Sequence, residues 1–150
     1  MIEYEELCSL IPHSFDMCLL ESVESWNADN IICYSNSHRS DKNPLRREEN
    51  LSSVHLLEYA AQAMAVHGGL HNRQQGLKMS EGYLAALRDV NINLCEIGQL
   101  HSALRIEANK ILSQGGNMIY SFSVTAMDNE LVSGRATVVA ISHNEQEETL

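Results

Sequence analysis

The chain has 150 residues, of which 44% are hydrophobic, and its 20 acidic and 10 basic residues give a formal net charge of −10. This length and composition are typical of one globular domain that buries a core without metal or disulfides. The negative charge repels phosphate backbones, which argues against general nucleic-acid binding. No stretch reaches the roughly 18 consecutive apolar residues of a membrane span.

The N-terminal residues, the cysteines and the histidines give no sign of export or of a metal centre. Residues 1–6 are acidic where a secretory signal would be basic, so we predict a cytoplasmic protein. The four cysteines, Cys8, Cys18, Cys33 and Cys95, lie far apart and form no C-x-x-C pair, so we expect reduced thiols. The seven histidines form no H-x-H or H-E-x-x-H pattern, and no metal site is predicted.

The first third of the chain is predicted to form two strands, Met17 to Trp26 and Asn30 to Ser37, on either side of a turn at 27–29. A segment with four basic residues and one acidic residue follows at 38–47, which we call the basic loop. Its basic residues are Arg39, Lys42, Arg46 and Arg47.

One helix is predicted from about Ser52 to His67. Ser52 or Ser53 can act as its N-cap, and the glycine pair at 68–69 is expected to end it. Apolar side chains cover nearly its whole circumference, which is typical of a buried helix. They are Val54, Leu56, Leu57, Ala60, Ala61, Ala63, Met64, Ala65 and Val66.

The second half of the chain is predicted to form four strands, separated by turn residues. The strands are Tyr83 to Cys95, Leu104 to Leu112, Met118 to Met127, and Leu131 to Ser142. We expect sequential hairpins to join them into an antiparallel sheet with the helix on its concave face. The predicted class is therefore α+β, with one domain over residues 1–143 and an acidic tail at 144–150.

Three polar residues lie on one stripe of this apolar helix, because His55, Glu58 and Gln62 are spaced by three and four positions. Burial disfavours a charged carboxylate, so Glu58 can stay protonated near neutral pH and act as a proton donor. Gln62 would orient its carboxyl group. The alternative is that the stripe is simply the wet edge of the helix.

Short motifs along residues 10–140 resemble the hotdog-fold β-hydroxyacyl-acyl carrier protein dehydratases, and most of all the divergent branch found with aryl-polyene biosynthesis. Residues 10–13 and 17–23 are similar to the opening "LPH…LLVDRV". Residues 55–63 match the helix motif, in which an acid is followed four positions later by glutamine. Residues 65–69, 98–100 and 128–132 resemble the helix end, the "GDQL" turn and the "DGKLV" hairpin.

One departure concerns the loop before the helix, where the family carries "GHFPG" with a catalytic histidine. Residues 45–50 fill that region without a histidine, and His38 lies twenty positions before Glu58, so the catalytic role is not transferred to it. In the divergent branch, loss of this base goes with weak or absent activity and with roles as a partner subunit. His13 and His67 fit the family pattern, and we expect packing or capping roles for both.

The resemblance implies a hotdog fold, a long antiparallel sheet wrapped around one central helix, acting on acyl thioesters. It implies Glu58 as the acid, with Gln62 as its orienting group. His55, on the same stripe, is the candidate for a substitute base, and its alternative is a plain structural role. Substrate would contact the start of the helix, where unpaired amides of residues 53–56 can polarise the thioester carbonyl. The predicted substrate-binding residues are Ser53, Val54, Leu57, Ala61, Arg46 and Arg47.

The resemblance also implies partners. The substrate would arrive on the phosphopantetheine of an acyl carrier protein, with no cofactor in the chain itself, and its phosphate would meet the basic loop. The opposing reading is a solvated loop whose charges Glu48 and Glu49 offset. A homodimer or a heterodimer with another hotdog subunit is expected. Thioester hydrolysis and a non-catalytic subunit remain the alternatives to dehydration.

Overall fold

The computed structural model describes residues 1–11, 17–77 and 81–141. Its order of two strands, one long helix and four strands confirms the prediction. The elements are α1 (Tyr4–Cys8), β1 (Ser22–Trp26), β2 (Asn30–Ser35), α2 (Leu56–Gln74), β3 (Glu81–Ile92), β4 (Leu104–Gln114), β5 (Asn117–Ala126) and β6 (Asn129–Ile141). Short 3-10 turns occur at Ser37–Arg39 and Ser53–His55. His13 and the predicted acidic tail at 144–150 lie outside the described residues.

The six strands form one antiparallel sheet in the order β1-β2-β4-β5-β6-β3. The expectation of sequential hairpins is wrong at one point, because β3 pairs with β6 and not with β4. β4 pairs instead with β2, a strand that precedes the helix in the sequence. This crossing places β3 at one edge of the sheet, while the other edge strand, β1, is bridged by Ile2 to Val23.

Two tight turns set the register of the long hairpins. Gly115 and Gly116 join β4 to β5 with positive φ angles of 59° and 84°, and Met127 and Asp128 join β5 to β6 with 52° and 63°. Two consecutive residues with positive φ match the right-handed twist of the strands they connect. The alternation predicted for β5 follows, since Tyr120, Phe122, Val124 and Ala126 are all buried.

Helix α2 packs across β2, β4 and β5, with its inward side chains forming the centre of the core. Leu56, Tyr59, Ala60, Ala63 and Val66 are completely inaccessible to solvent. At about 25 cal/mol per Å² of buried apolar surface, this helix face is a principal source of stability. The predicted α+β hotdog arrangement is confirmed.

The helix does not end at the glycine pair, so its predicted end at His67 is wrong. Gly69 lies against Leu10, where an added Cβ would come within 3.4 Å of the Leu10 Cδ2 atom. The helix continues because Leu70 is buried one residue further on. It ends at Gln74, and Gly76 just beyond it has a φ of +73°, which allows the N–H of Leu77 to donate to the Asn72 carbonyl.

The N-terminal segment contains a disulfide that joins Cys8 to Cys18. The prediction of reduced thiols is therefore wrong for this pair. The two cysteines are ten positions apart in sequence, and the fold brings their Cα atoms to 5.8 Å, a distance that a disulfide spans. Cys33 and Cys95 are free. Cys33 is completely buried in β2, and desolvation raises the pKa of its thiol to about 12, so it is an inert core residue.

One polar residue of α2, His67, lies buried under the sheet. The His67 ring is completely buried, with Nδ1 2.7 Å from the Tyr120 hydroxyl and Nε2 2.8 Å from the Asn27 carbonyl oxygen. Burial lowers the pKa of this histidine and raises that of Tyr120, so both groups are neutral at pH 7. The packing role predicted for His67 is confirmed.

Candidate active site

The predicted Glu58 and Gln62 side chains meet one turn apart on α2. Gln62 Nε2 donates to Glu58 Oε1 at 3.3 Å. Glu58 is half-buried, so one side of its carboxyl group is held by the protein while the side chain keeps access to solvent. This is a geometry in which a carboxyl group can exchange a proton with a molecule bound beside it.

Gln62 is fixed by the polypeptide segment that precedes β1. Its Oε1 accepts a hydrogen bond from Leu19 N at 2.8 Å, and its Nε2 donates to the Met17 carbonyl at 2.6 Å. With only 2% of its surface exposed, it has these partners in place of water. The amide orientation is determined by the network, because the reverse orientation would face Leu19 N with a second donor.

The side of α2 that carries Glu58 is the least covered by the rest of the chain. Val54 is 41% exposed, and Leu57 and Ala61 are half-buried, at positions three or four residues apart that share one face. We call Val54, Leu57, Glu58 and Ala61 the open strip. The prediction of a helix buried all round is wrong for this face, which is apolar but open to solvent.

The start of the helix differs from the predicted cluster of unpaired amides. Ser53 N donates to the Cys95 carbonyl, Val54 N to Ser52 Oγ, and His55 N to the Ser52 carbonyl. Ser53 itself is completely buried, and its hydroxyl links Asn93 O to Cys95 N. The expectation of free amides at residues 53–55 is therefore wrong. Ser53 anchors the helix start to the segment after β3.

The two histidines nearest to the site in sequence occupy different environments. His55 is half-buried, three residues before Glu58. His38 is completely buried, with Nε2 3.0 Å from the Leu100 carbonyl and Nδ1 without a partner among the described residues. Burial is the main reason that the pKa of His38 is lowered, so its ring is neutral at pH 7.

Arg46, predicted to meet a phosphate, binds the protein backbone instead. Its guanidinium donates to the carbonyls of Ser40, Glu49 and His38, the last at 2.7 Å, with Gly98 O at 3.5 Å. These contacts fold the basic loop onto the turn at 96–100. Arg47 is exposed, as are the remaining basic residues of the loop, Arg39 and Lys42.

A buried hydroxyl cluster beneath the site carried no motif in the sequence. The Tyr59 hydroxyl lies 2.7 Å from Ser37 Oγ and accepts from Asn43 Nδ2 at 3.0 Å. Ser35 and Ser37 both donate to the carbonyl of Leu19. The cluster joins the basic loop, the helix and the segment that holds Gln62. In the sequence, the feature that could have indicated this cluster is Tyr59, a tyrosine next to Glu58 on a largely apolar helix.

Strand β3 has no partner on its outer side within the part of the chain that the structure describes. It also presents Leu84 and Leu87, which are 39% and 38% exposed. An exposed edge strand with apolar side chains is a template for pairing with another strand. The segment just after β3 contacts Ser53, which places the end of this strand near the start of α2.

Other candidate features lie away from Glu58 or are absent from the described ranges. A depression of about 280 Å³ on the sheet is lined by polar residues and by Phe122, and Glu58 is not among them. In residues 1–11, 17–77 and 81–141, no helix is long and apolar enough to cross a membrane. The same ranges contain no group of three or more His, Cys, Asp or Glu side chains that could hold a metal ion.

Comparison with known proteins supports the resemblance seen in the motifs. The model of the ApeP-like family, described as ApeP dehydratase, matches residues 5–149. Among solved structures, the chain is similar to one from the dehydratase heterocomplex ApeI:P of Xenorhabdus doucetiae, with a TM-score of 0.83, 23% identity and 95% of each chain covered. No curated protein matches significantly.

Two further solved structures share the fold at lower identity. A putative thioesterase from Shewanella oneidensis has a TM-score of 0.62 and 8% identity, covering 93% of this chain and 94% of that one. A hypothetical thioesterase with coenzyme A from Streptococcus pneumoniae has a TM-score of 0.57 and 13% identity, covering 81% and 88%.

Proposed function

Because the chain belongs to the ApeP-like dehydratase family, we propose that it is a subunit of an acyl-thioester dehydratase that completes its active site with a second hotdog chain. The observation that carries the proposal is the Glu58 carboxyl group, held by Gln62 on an apolar strip that this chain leaves open. A carboxyl group in such a position needs a second surface to exclude water from the reaction.

The proposed reaction removes water from a 3-hydroxyacyl thioester. A base takes a proton from C2, the C3–O bond breaks, and the C2–C3 bond becomes a double bond. Protonated Glu58 donates to the departing C3 hydroxyl, which leaves as water, and the enoyl thioester remains. Gln62 keeps the Glu58 carboxyl pointed at the strip, so that the proton is delivered along a fixed direction.

The base is the part of this mechanism that the chain supplies least well. His55 is half-buried in the turn just before α2, and His38 is completely buried at the start of the basic loop. We therefore assign the base to the second chain, with His55 as the group to test within this one. The "ApeI:P" heterocomplex, which is named as a dehydratase, supports this division between two chains.

The outer edge of β3 is the surface that we assign to the second chain. Pairing there would extend the sheet, cover Leu84 and Leu87, and bring foreign residues near the start of α2. A second copy of this chain could use the same edge, and two identical edges paired antiparallel satisfy twofold symmetry. The oligomer formed with and without a partner is therefore part of the test.

Substrate delivery is assigned to an acyl carrier protein whose phosphopantetheine phosphate meets the basic loop. Arg47 and Lys42 are exposed and free to contact an anion, whereas Arg46 is engaged with backbone carbonyls. Arg46 then has a supporting task, since it holds the loop that presents the other two. The pathway we propose is of the fatty-acid or polyene type, in which 3-hydroxyacyl thioesters are intermediates.

The proposal is tested with a short 3-hydroxyacyl thioester, by following enoyl absorbance and free thiol together. The chain is assayed alone and with a hotdog dehydratase that carries the loop histidine. Enoyl product that rises above the sum of the separate rates supports the proposal. Free thiol without enoyl product assigns thioester hydrolysis instead. A mixture no faster than the partner alone, despite complex formation, assigns a subunit that takes no part in the chemistry.

A further inference from the structure

We infer that the Cys8–Cys18 disulfide is a positioning element for the Glu58 carboxyl group, acting through Met17 and Gln62. The inference rests on the proposed function for its catalytic meaning, while the physical link can be measured without turnover. The link has three parts. They are Cys8, which is anchored on α2, the segment at residues 17–19, which the disulfide holds, and Gln62, whose side chain binds the backbone of that segment.

The Cys8 half of the disulfide is anchored on the second half of α2. Cys8 is the last residue of α1 and is 4% exposed, next to Leu7, which is completely buried. Leu10 packs against Gly69, and the Glu6 carboxylate lies 2.9 Å from the Arg73 guanidinium. Cys8 is thus held in place by the contacts of α1 and Leu10 with the second half of α2.

The Cys18 half lies between the two backbone groups that hold Gln62. Met17 supplies a carbonyl that accepts from Gln62 Nε2, and Leu19 supplies an N–H that donates to Gln62 Oε1. The covalent bond at the residue between them restricts both. Leu19 has additional support, because Ser35 and Ser37 donate to its carbonyl. Within the described residues, the Met17 carbonyl accepts only from Gln62.

Opening the disulfide should therefore act mainly on the Met17 side. If that carbonyl moves away, Gln62 keeps its bond to Leu19 N but loses the acceptor that fixes its amide nitrogen. The nitrogen then turns more freely between Glu58 and solvent, and its 3.3 Å bond to the Glu58 carboxyl weakens. The disulfide is opened by a dithiol, which gives two electrons and two protons and itself becomes a disulfide, leaving thiols at Cys8 and Cys18.

The experiment compares the intact chain with a Cys8→Ser/Cys18→Ser variant, using NMR of the Gln62 side-chain amide and of the Glu58 carboxyl carbon. Assignments come from Gln62→Ala and Glu58→Gln. We expect the Gln62 amide protons of the variant to exchange with solvent at least tenfold faster and the Glu58 carboxyl carbon resonance to change position, because its hydrogen bond from Gln62 weakens. Oxidised Gln62→Ala should give the same Glu58 shift. The matched control is Cys33→Ser/Cys95→Ser, which removes the free thiols and should move neither signal.

Three outcomes overturn the inference. Unchanged Gln62 and Glu58 signals in a folded double-serine variant would show that the disulfide does not act on the site. A Glu58 shift in that variant but not in oxidised Gln62→Ala would show that the effect bypasses the glutamine. Loss of the whole fold, seen as loss of dispersion throughout the spectrum, would assign the disulfide to global stability. None of these readouts depends on dehydration, so they remain separable from failure of the proposed function.

Discussion

Two of the polar groups on helix α2, His67 and Glu58, lie in opposite environments. His67 is completely buried, and both of its ring nitrogens have partners, Tyr120 and Asn27. Glu58 is half-buried, with one oxygen bonded to Gln62, on a face that the chain leaves open. A fully partnered buried group stabilises the fold, whereas a partly held and accessible group can react. On this one helix, His67 therefore has a structural role and Glu58 is the candidate for a chemical one.

The largest effect is expected at the open site. Glu58→Gln keeps the size of the side chain but removes the proton donor, so dehydration by the assembled complex should fall about 10²- to 10⁴-fold. The unfolding free energy should change by less than about 0.5 kcal/mol, because the side chain is half-exposed. Enoyl formation and thermal unfolding measured on the same preparation check both statements. Equal rates for the variant and the parent complex would remove Glu58 from the chemistry.

His67→Ala should show the reverse pattern. Removing the ring leaves a cavity and an unpartnered Tyr120 hydroxyl under the sheet, which costs about 2–4 kcal/mol of unfolding free energy. Per folded molecule, we expect dehydration to be nearly unchanged. Urea unfolding measures the first quantity and active-site-normalised rates the second. A His67→Ala variant that is stable but inactive would contradict the assignment of a structural role to His67 and a chemical role to Glu58.

The pH dependence of stability sharpens the same comparison. Burial lowers the pKa of His67 and His38 below the usual value of about 6.5, so the unfolded chain binds more protons than the folded chain once pH falls below about 7. Stability should therefore fall as pH drops through that value and level off below the folded pKa of these groups. His67→Asn should flatten the curve in urea titrations at several pH values. An identical slope in the variant would mean that other groups cause it.

The smallest effect is expected at the basic loop. Arg47→Glu should weaken binding of an acyl carrier protein about 3- to 10-fold at low salt, because one exposed charge is reversed. Arg135→Glu, an exposed arginine on β6, is the matched control and should change the affinity little. Calorimetric titration at two salt concentrations measures both. Equal losses for the two variants would mean that net charge alone governs binding.

The sequence pattern was sufficient for elements whose signal is local. The largely apolar stretch at residues 54–66 predicted α2. The spacing of Glu58 and Gln62 predicted their contact, because residues four apart share a helix face. Alternation in β5 predicted which side chains face the core. These features depend on neighbours within a few positions.

What the sequence pattern missed depends on distant contacts. The place of β3 beside β6 is set by how the sheet closes around the helix, and the strand spacing is equally compatible with a hairpin to β4. The helix passes through the glycine pair at 68–69 because Leu10 packs there and Leu70 is buried. The same docking brings Cys8 to Cys18. Arg46 carries no local sign that its donors bind backbone carbonyls.

The most direct test of the central claim runs the reaction backwards in ¹⁸O-labelled water. The enoyl thioester is incubated with the assembled complex, and the products are separated by mass spectrometry. The account predicts ¹⁸O in the C3 hydroxyl of a 3-hydroxyacyl group that is still attached to its thiol, and loss of this label in Glu58→Gln. Label appearing instead in the carboxylate of the free acid, with thiol released, would contradict it.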